Sequence, residues 1–247
     1  MEKITLEPTN RGRTWLSLSH GKEQYEFAYP SVIGTHQDCF KALNADTEVR
    51  PAEGLELALL TYGAYHADNL EDNEEWKEVR NIFHNNYIRI PIRNLWIPQE
   101  CAKTIESGGV LVERDIQGNG LDTKMEIPNI KTWNKNDYGI HISQDINQKF
   151  IPFGSYTLGE HTKESFAKDS YAIAVLSQKG AEIFAQTAVD TELKPWIQGV
   201  DIQTIKVPEQ RVSLLCEGDY RLSLSGYYWD SGIGSRAFGV RKKTGEN

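Results

Sequence analysis

Short runs of alternating apolar and polar residues occupy the first thirty positions of the chain. The runs KITLEP, TWLSLS and YEFAYP place apolar side chains at about every second position, with turn residues between them. Side chains of a β-strand point alternately to its two faces, so this period indicates strands with one buried face. We therefore predict three short strands here.

The apolar spacing then lengthens to that of a helix in two segments. The first is VRPAEGLELALLTYGAYHA, where Pro51 suits a first helical turn and Glu53 and Glu56 favour the positive N-terminus. The second is NEEWKEVRNIFHNN, where Trp76 and Phe83 lie seven positions apart, about two helical turns. Both segments are predicted to be amphipathic helices.

Beyond these helices the pattern returns to strands. YIRIPIRNLWIP alternates, but Pro91 removes one backbone donor and predicts an edge or interrupted strand. GGVLVER predicts a further strand, whereas the polar residues 123–150 indicate loops.

The remaining pattern predicts two helices and four strands. HTKESFAKD and KGAEIFAQTAVD are typical of helices, and YAIAVL between them is typical of a buried strand. GVDIQTIKV, RVSLLC and RAFGVRKK are predicted to be strands. Strands followed by helices and then strands indicate an α+β fold, and without a linker or repeat we expect one domain over residues 1–247.

Composition and charge narrow the possible partners. The net charge of −8 argues against a broad electrostatic surface for nucleic acid or anionic membrane. The chain has no apolar run long enough to span a bilayer, and MEKITLEPTNRGR has no apolar signal segment. The sparse cysteines Cys39, Cys101 and Cys216 favour a reducing compartment, although sequence alone leaves a Cys39–Cys101 bridge open.

The segment Asp115–Glu126 has the outline of a calcium-binding loop. Its DIQGNGLDTKME spacing matches an EF-hand, but Gln117 is neutral, Asp122 takes a usually apolar position, and a strand precedes the loop. A Gly-Asn-Gly turn between strands explains the same residues. We predict no metal and no cofactor, and sequence leaves calcium binding by this loop open.

Evidence for catalysis is weak throughout the sequence. His36 precedes Cys39 by three residues in GTHQDCF, which is better interpreted as a polar turn. No G-x-S-x-G, phosphate-binding or dinucleotide-binding motif is present. We predict no catalytic residues, and a hydrolase that uses Cys39 or a carboxylate pair is an alternative hypothesis.

The stretch YRLSLSGYYWDSGIGSR, Tyr220–Arg236, has the composition of a binding surface. Tyr, Ser, Gly, Asp and Arg supply 15 of the 23 residues from Leu214 to Arg236. Tyr gives a large contact area at low entropy cost, Ser and Gly let the backbone adapt, and Arg supplies strong contacts. A Gly- and Ser-rich hairpin with ordinary surface residues would explain the same composition.

The flanks of this stretch resemble a known family. The strand VSLL, the Trp within the stretch and the closing AFGVR resemble the C-terminal part of C-type lectin-fold proteins, in particular the variable proteins of diversity-generating retroelements. IPFGSYTLGEHTKESFAKDSYAIAVLSQKGAEIFAQTA is similar to archaeal and archaeal-virus members of that group, relatives of the major tropism determinant. The resemblance covers Ile151–Lys243 and implies a C-type lectin-like fold.

The resemblance also implies how such a surface arises. In that family a reverse transcriptase mutates the adenines of a template, and the copy replaces a variable region. A codon of two adenines and a pyrimidine then yields many residues, but never Lys, Gln, Glu, Met or Trp. Only Glu217 and Trp229 of those types occur between Leu214 and Arg236. The triplets that hold calcium in sugar-binding C-type lectins are absent, which argues against calcium-dependent sugar binding.

The implied binding segment is 211–241, carried by strands near Arg211–Ser225 and Arg236–Arg241. Trp229, Ala237, Phe238 and Val240 are expected to be scaffold. The expected ligand-binding residues are Asp219, Tyr220, Arg221, Tyr227, Tyr228, Asp230, Ser231, Ile233, Ser235 and Arg236.

The partner implied is a macromolecule, a protein or a cell-surface component. We expect neither nucleic-acid binding nor membrane insertion, and a virion-associated or cytoplasmic location. A structural virion or assembly protein is the main alternative, and it would have a fixed partner, a large apolar patch and an oligomeric state.

Overall fold

The described part of the chain mixes helices and strands. The computed structural model describes residues 13–67, 74–102, 105, 107–229 and 234–244, with only the backbone of 242–244. Helices account for 31% and strands for 34%, in the order strands, helices, strands, so the fold is α+β as predicted. Within these residues no helix is both long enough and apolar enough to cross a bilayer.

Five helices and fifteen strands lie in the described residues. Two short 3₁₀ turns, Gln99–Cys101 and Ile130–Thr132, accompany them. The helices are α1 His36–Ala45, α2 Gly54–His66, α3 Glu74–Asn85, α4 Lys163–Lys168 and α5 Ser170–Asp190. The strands are β1 Thr14–His20, β2 Glu23–Tyr29, β3 Val32–Ile33, β4 Arg50–Pro51, β5 Ile88–Ile97, β6 Gly109–Arg114, β7 Asn134–Lys135, β8 His141–Ile142, β9 Gln148–Pro152, β10 Gly159–Glu160, β11 Lys194–Gln198, β12 Glu209–Gly218, β13 Arg221–Tyr228, β14 Arg236–Ala237 and β15 Gly239–Thr244.

The strands form two sheets. The smaller has the order β1-β2-β15-β4, so β15 pairs with β2 from the opposite part of the chain. The larger runs β10-β11-β13-β12-β5-β6-β9-β8-β7, and β14 joins it beside β5 and β3. The predicted strands TWLSLS, YEFAYP, GGVLVER and RVSLLC are confirmed, while KITLEP lies outside the described residues. RAFGVRKK was predicted as one strand but divides into β14 and β15, which belong to different sheets.

One hydrophobic cluster joins both sheets to the helices. Phe27 and Val240 reach it from the small sheet, and Leu222 and Leu224 from the large sheet, all fully buried. Helices α2 and α5 pack against each other and contribute Leu57 and Phe184 among others. Burial of such side chains stabilises the fold by about 1.5–3 kcal/mol each.

The structure changes two predictions about helix starts. GTHQDCF is not a polar turn, because helix α1 begins at His36 and Thr35 caps it by accepting a hydrogen bond from Asp38 N. Helix α2 begins at Gly54 rather than near Pro51, which lies in β4. Glu53 and Glu56 form the cap of α2 through reciprocal hydrogen bonds with backbone N–H groups.

Strand β5 is a central, fully buried strand rather than an edge strand. It pairs with β12 on one side and with β6 on the other. Pro91 is tolerated because the β5–β12 register shifts between Val212 and Leu214, so its missing donor falls at an irregularity in the ladder. Its carbonyl accepts a hydrogen bond from Asp115 N at 2.7 Å.

Two strand predictions in the second half are wrong. YAIAVL forms the first half of helix α5, which continues into the predicted helix KGAEIFAQTAVD after an interruption at Ser177. A short apolar run fits a buried helix as well as a buried strand, so its pattern alone could not decide. Residues 199–207 are mainly turns, and the strand lies earlier, at Lys194–Gln198.

Candidate functional site

The first part of the predicted binding segment 211–241 lies in the hairpin of β12 and β13. Its two-residue turn, Asp219 and Tyr220, has positive φ values of 44° and 61°. The Tyr220 carbonyl accepts a hydrogen bond from Lys194 N at 2.9 Å, which ties the turn to β11. The Tyr220 side chain is 83% exposed at the tip.

The two faces of β13 have different environments. Leu222 and Leu224 are fully buried in the main core. Arg221 and Ser223 point to the opposite face, and a bulge in the β12–β13 pairing returns Tyr228 to that same face. Alternation along the strand therefore gives one core face and one face toward a surface groove.

This groove has a volume of about 600 Å³ and crosses β11, β13 and β12. Its floor carries the small side chains of Ser223 and Cys216, which are paired across the two strands. Trp196 lies at one end, and Tyr87, just before β5, stands at the other beside Tyr228. Large aromatic residues at both ends and small residues between them create the depression.

Aromatic contacts hold the polar groups of the groove in place. The Arg221 guanidinium lies 4.1 Å from the Trp196 ring centroid, a cation–π contact. The rings of Tyr87 and Tyr228 are 4.5 Å apart. Burial, together with a hydrogen bond from the Tyr228 hydroxyl to Tyr87, raises the pKa of Tyr228 well above its usual value.

Glu217 fixes the hairpin to the helices on its other side. The Tyr65 hydroxyl of α2 donates a hydrogen bond to the Glu217 carboxylate. Nδ1 of His84 in α3 lies 3.1 Å from Glu217 Oε1. Burial, and to a lesser extent the hydrogen bond from Tyr65 to Glu217, raises the pKa of Tyr65. These contacts set the position of the groove relative to α2 and α3.

A second aromatic surface lies at the other end of the hairpin. The Tyr227 and Trp229 side chains are 43% and 58% exposed, and both cover the buried Arg211 guanidinium. The Trp229 ring centroid is 3.5 Å from that guanidinium, which also pairs with Glu209. Trp229, which was predicted to be scaffold, is not a core residue, and its ring packs on Arg211 from the solvent side.

The structure divides the predicted ligand-binding residues. Ser235 is only 3% exposed, so it is unsuited to contact a ligand and is removed from the candidate surface. Asp230, Ser231 and Ile233 lie outside the described residues. The scaffold residues Ala237, Phe238 and Val240 are buried, as predicted. Exposed at the hairpin are Asp219, Tyr220, Arg221 and Tyr227, with Tyr228 and Arg236 partly exposed.

Sequence analysis missed the residues that come to the groove from other elements. Trp196 and Gln198 belong to β11, Tyr87 precedes β5, and Leu158 precedes β10. Trp196 lay outside the strand predicted nearby, GVDIQTIKV. The motif KPWIQ, with an aromatic residue between Pro and Ile, was the available signal, but only the parallel pairing of β11 with β13 places it here.

Neither Cys39 nor Cys216 has the environment of an activated nucleophile. All three cysteines are free thiols, so the Cys39–Cys101 bridge is absent. Cys39 is fully buried and contacts the Val32 carbonyl at 3.7 Å. Burial raises the pKa of the Cys216 thiol to about 11, although a hydrogen bond with Ser223 opposes this. A thiol of that pKa is protonated near neutral pH and unreactive.

The Asp115 carboxylate is already satisfied by protein groups. It accepts hydrogen bonds from Asn119 N at 2.8 Å and Gly120 N at 2.7 Å, and it lies 3.1 Å from His36 Nε2. A strand, β6, precedes the loop, where an EF-hand needs a helix. Among the described residues, no cluster of three or more His, Cys, Asp or Glu is suited to hold a metal ion.

Comparison with protein-family models, with curated proteins and with solved structures finds no match to this chain.

Proposed function

We propose that this chain is a recognition protein, a variable protein of a diversity-generating retroelement with a C-type lectin-like scaffold. Its hairpin and groove would bind a macromolecular ligand, a protein or a cell-surface component. The observation that carries the proposal is the burial pattern of β13, which is exposed at its ends and buried throughout residues 222–226. Arg221 and Tyr227 are exposed there, while Leu222 and Leu224 are fully buried.

This burial pattern separates positions that tolerate substitution from positions that do not. Changes at exposed sites usually alter the free energy of unfolding by under ~0.5 kcal/mol. Truncation of a buried Leu typically costs about 2–5 kcal/mol. A chain diversified at Tyr220, Arg221 and Tyr227 would therefore keep its fold, provided that Leu222 and Leu224 stay constant.

Other contacts within the segment support the same division. A Cβ atom at Gly226 would lie 1.9 Å from the Tyr171 hydroxyl, so the buried backbone there accepts only Gly. The Gly226 carbonyl also accepts a hydrogen bond from Trp96 Nε1 at 2.8 Å. Glu217 and Trp229, the two residues that adenine mutation of such codons cannot produce, both have internal contacts, with Tyr65 and Arg211 respectively.

The strands that follow the hairpin support a fixed frame around it. β14 pairs with β3 and β5, and β15 pairs with β2 and β4. The buried side chains of Val240 on β15 and of Phe238, between β14 and β15, anchor the segment in the core. The exposed candidate surface is thus flanked in sequence by strands that are anchored in the core, as a scaffold for a variable surface requires.

The DNA beside the coding sequence tests this proposal. We expect a reverse transcriptase gene and a near-copy of the segment that encodes Leu214–Arg236. In this near-copy, adenines should occur at the codons that correspond to Tyr220, Arg221 and Tyr227, and not at those that correspond to Leu222 or Leu224. Sequencing of this locus in a population should reveal substitutions at the marked codons alone.

Two results would reject the proposal. One is the absence of any near-copy and of a reverse transcriptase gene. The other is population variation spread equally over codons of exposed and buried residues, which would remove the distinction on which the proposal depends.

A further inference from the structure

A second hydrophobic cluster lies on the face of the large sheet that is turned away from the main core. On β5, Trp96 belongs to the main core and its neighbour Leu95 to the second cluster. Leu111 of β6 and Phe150 of β9 belong to the same cluster as Leu95, and so does Met125, which follows β6 in the chain. Because side chains alternate along a strand, these three strands carry a hydrophobic cluster on each face.

A pocket of about 600 Å³ opens beside this second cluster. Leu95 and Met125, 4% and 3% exposed, form its inner lining, and Ile127 and Pro208 line it as well. Val207, which is 64% exposed, is also part of the lining. None of the lining residues belongs to the groove across β11, β13 and β12 or to the segment 211–241. Its size and mainly apolar lining are those of a small-molecule site.

Both stretches of chain that line the pocket are held by contacts within the protein. Gln210 Oε1 accepts a hydrogen bond from Met125 N at 2.9 Å, and Gln210 Nε2 donates to the Thr123 carbonyl at 2.9 Å. The second stretch begins after Lys206, whose carbonyl lies 3.6 Å from Cys101 Sγ. A pocket whose lining is fixed beforehand loses less entropy when a ligand binds.

The backbone around the pocket offers few donors to a bound peptide. Pro208 has no N–H group, and neither has Pro128, which follows the lining residue Ile127. The N–H group of Met125 is bonded to Gln210. A peptide that binds by strand addition needs a row of free backbone donors and acceptors, so this lining does not favour a peptide.

The charged residues of the lining balance each other. Lys124 and Glu126 are both exposed and lie two positions apart, so the side chains give the pocket no net charge. Gln210, the other polar residue of the lining, has its amide oxygen and nitrogen bonded to protein groups. A charged ligand group would lose hydration here without gaining a dedicated partner of opposite charge, which disfavours its binding.

We infer that this pocket binds an uncharged, mainly apolar small molecule. Burial of the ligand's apolar surface against Leu95, Ile127 and Pro208 would supply the binding free energy. The Met125 thioether is flexible and polarisable, so it would adapt to the ligand and make favourable contacts with an aromatic ring. Because the site lies outside 211–241, it would take the same ligand whatever residues the hairpin carries.

Two related dyes test the class of ligand. N-phenylnaphthylamine is uncharged near neutral pH and fluoresces more strongly in an apolar environment, and anilinonaphthalene sulfonate is its sulfonated analogue. Fluorescence titration of the intact protein should show saturable binding of the neutral dye. Its Kd should be at least about tenfold below that of the sulfonate, because only the sulfonate must desolvate a charge.

The methionine content of the chain allows the site to be observed directly. The sequence has two methionines, Met1 and Met125. Protein labelled with carbon-13 at the methionine methyl groups should therefore give two NMR signals, which the Met125→Leu variant assigns. The neutral dye should shift the Met125 signal with the Kd found by fluorescence, because a bound aromatic ring changes the field at that methyl group. The Met1 signal should stay unchanged.

Two exposed valines give a matched pair of variants. Val207→Asp places a carboxylate at the pocket and should raise the Kd of the neutral dye by at least about fivefold. Val189→Asp makes the same change on α5, where Val189 is 47% exposed, and should leave the Kd within about twofold. Thermal unfolding of both variants checks that each is folded, and the Met125 signal reports on the site independently of either.

Absence of saturable binding by the neutral dye would overturn the inference. Equal affinity for the sulfonated dye, an unchanged Kd for Val207→Asp, or dye binding that leaves the Met125 signal in place would do the same. Short peptides that shift the Met125 signal when the dye does not would identify a peptide-docking groove instead. None of these results depends on the neighbouring DNA or on the hairpin, so the proposed function stands or falls separately.

Discussion

Tyr220 combines an unfavourable backbone conformation with almost complete exposure. Its φ of 61° lies in the left-handed region, which costs an L-residue roughly 1–2 kcal/mol. Asp219 before it also has a positive φ, and hairpin turns of this kind favour Asn-Gly or Asp-Gly. The fold would accept Gly at position 220 more easily, so the presence of Tyr points to a use for its side chain.

Replacement of Tyr220 by Gly is expected to raise the free energy of unfolding by about 0.5–1 kcal/mol. Relief of the left-handed strain exceeds the added chain entropy of Gly in the unfolded state. Urea-induced unfolding measures the change. Tyr227→Gly is the control, because Gly within a strand should instead lower stability by about 0.5–1 kcal/mol. Equal destabilisation by both substitutions would contradict the strain at position 220.

At this scale, composition correctly indicated the exposed Tyr220, Arg221 and Tyr227. It did not indicate that Ser235 is buried, since Ser occurs in both environments. Nor did it indicate that Trp229 covers Arg211 from the solvent side. Trp229 directly follows β13 and Arg211 lies on β12, so this contact depends on how the two strands pair. Such contacts depend on strand register, and a single sequence does not contain the register of its strands.

Helix α5 is two helical segments joined at Ser177. Its φ of 68° and ψ of 164° lie in a region that is essentially restricted to Gly. The Ser177 hydroxyl accepts a hydrogen bond from Gly180 N at 3.2 Å and so caps the second segment. Position 177 therefore carries opposing effects, a favourable cap and an unfavourable backbone.

Two substitutions at Ser177 should separate these effects. Ser177→Ala keeps the strain and loses the cap, which should lower the free energy of unfolding by about 1 kcal/mol. Ser177→Gly relieves the strain and forfeits only a few tenths of a kcal/mol of capping, so it should raise stability. Denaturant unfolding of the two variants beside the wild type gives the comparison. A lower stability for the Gly variant than for the Ala variant would be incompatible with this account.

Element-level patterns predicted α2, α3, α4 and most strands. In α3 the apolar spacing corresponds to one buried face, whereas α2 is buried around most of its circumference. The same patterns predicted β5 as a strand but placed it at an edge or interrupted, and they assigned YAIAVL to a strand rather than a helix; both segments are buried on all sides. They also missed α1, whose start depends on one cap, Thr35, rather than on a long periodic run. Full burial and short length are thus the conditions under which this chain's sequence was least informative.

For the molecule as a whole, Asp115 connects parts of the chain that are far apart. It follows β6, accepts hydrogen bonds from the loop at 119–120 and contacts His36 of α1. Burial alone would raise its pKa, but the hydrogen bonds from His36 and from Gly120 and Asn119 N–H outweigh this and lower it. The ionised form is therefore favoured more strongly in the folded than in the unfolded state.

Stability should consequently fall in acid. A carboxyl group with a lowered folded pKa stabilises the fold above its unfolded pKa, about 3.9, and this stability is lost as pH falls through the folded pKa. Asp115→Asn should lower the free energy of unfolding at pH 7 by about 1–3 kcal/mol. Its deficit relative to the wild type should shrink below pH ~4.

Urea unfolding at several pH values tests this dependence. Asp137→Asn, at an exposed carboxylate, serves as the control and should change stability by under ~0.5 kcal/mol. A deficit of the Asp115 variant that stays constant from neutral to acid pH would mean that the Asp115 charge does not stabilise the fold.

The pairing of β15 with β2 has a consequence for synthesis of the protein. Arg241 and Glu26 meet across 215 positions of sequence, so β2 lacks one neighbour until residues 239–244 have left the ribosome. A frameshift within the hairpin codons would replace every residue of β14 and β15. Such a product could not complete the small sheet and would expose Phe27 to quality-control proteases. The fold thus acts as a check on the reading frame of the segment that precedes these strands.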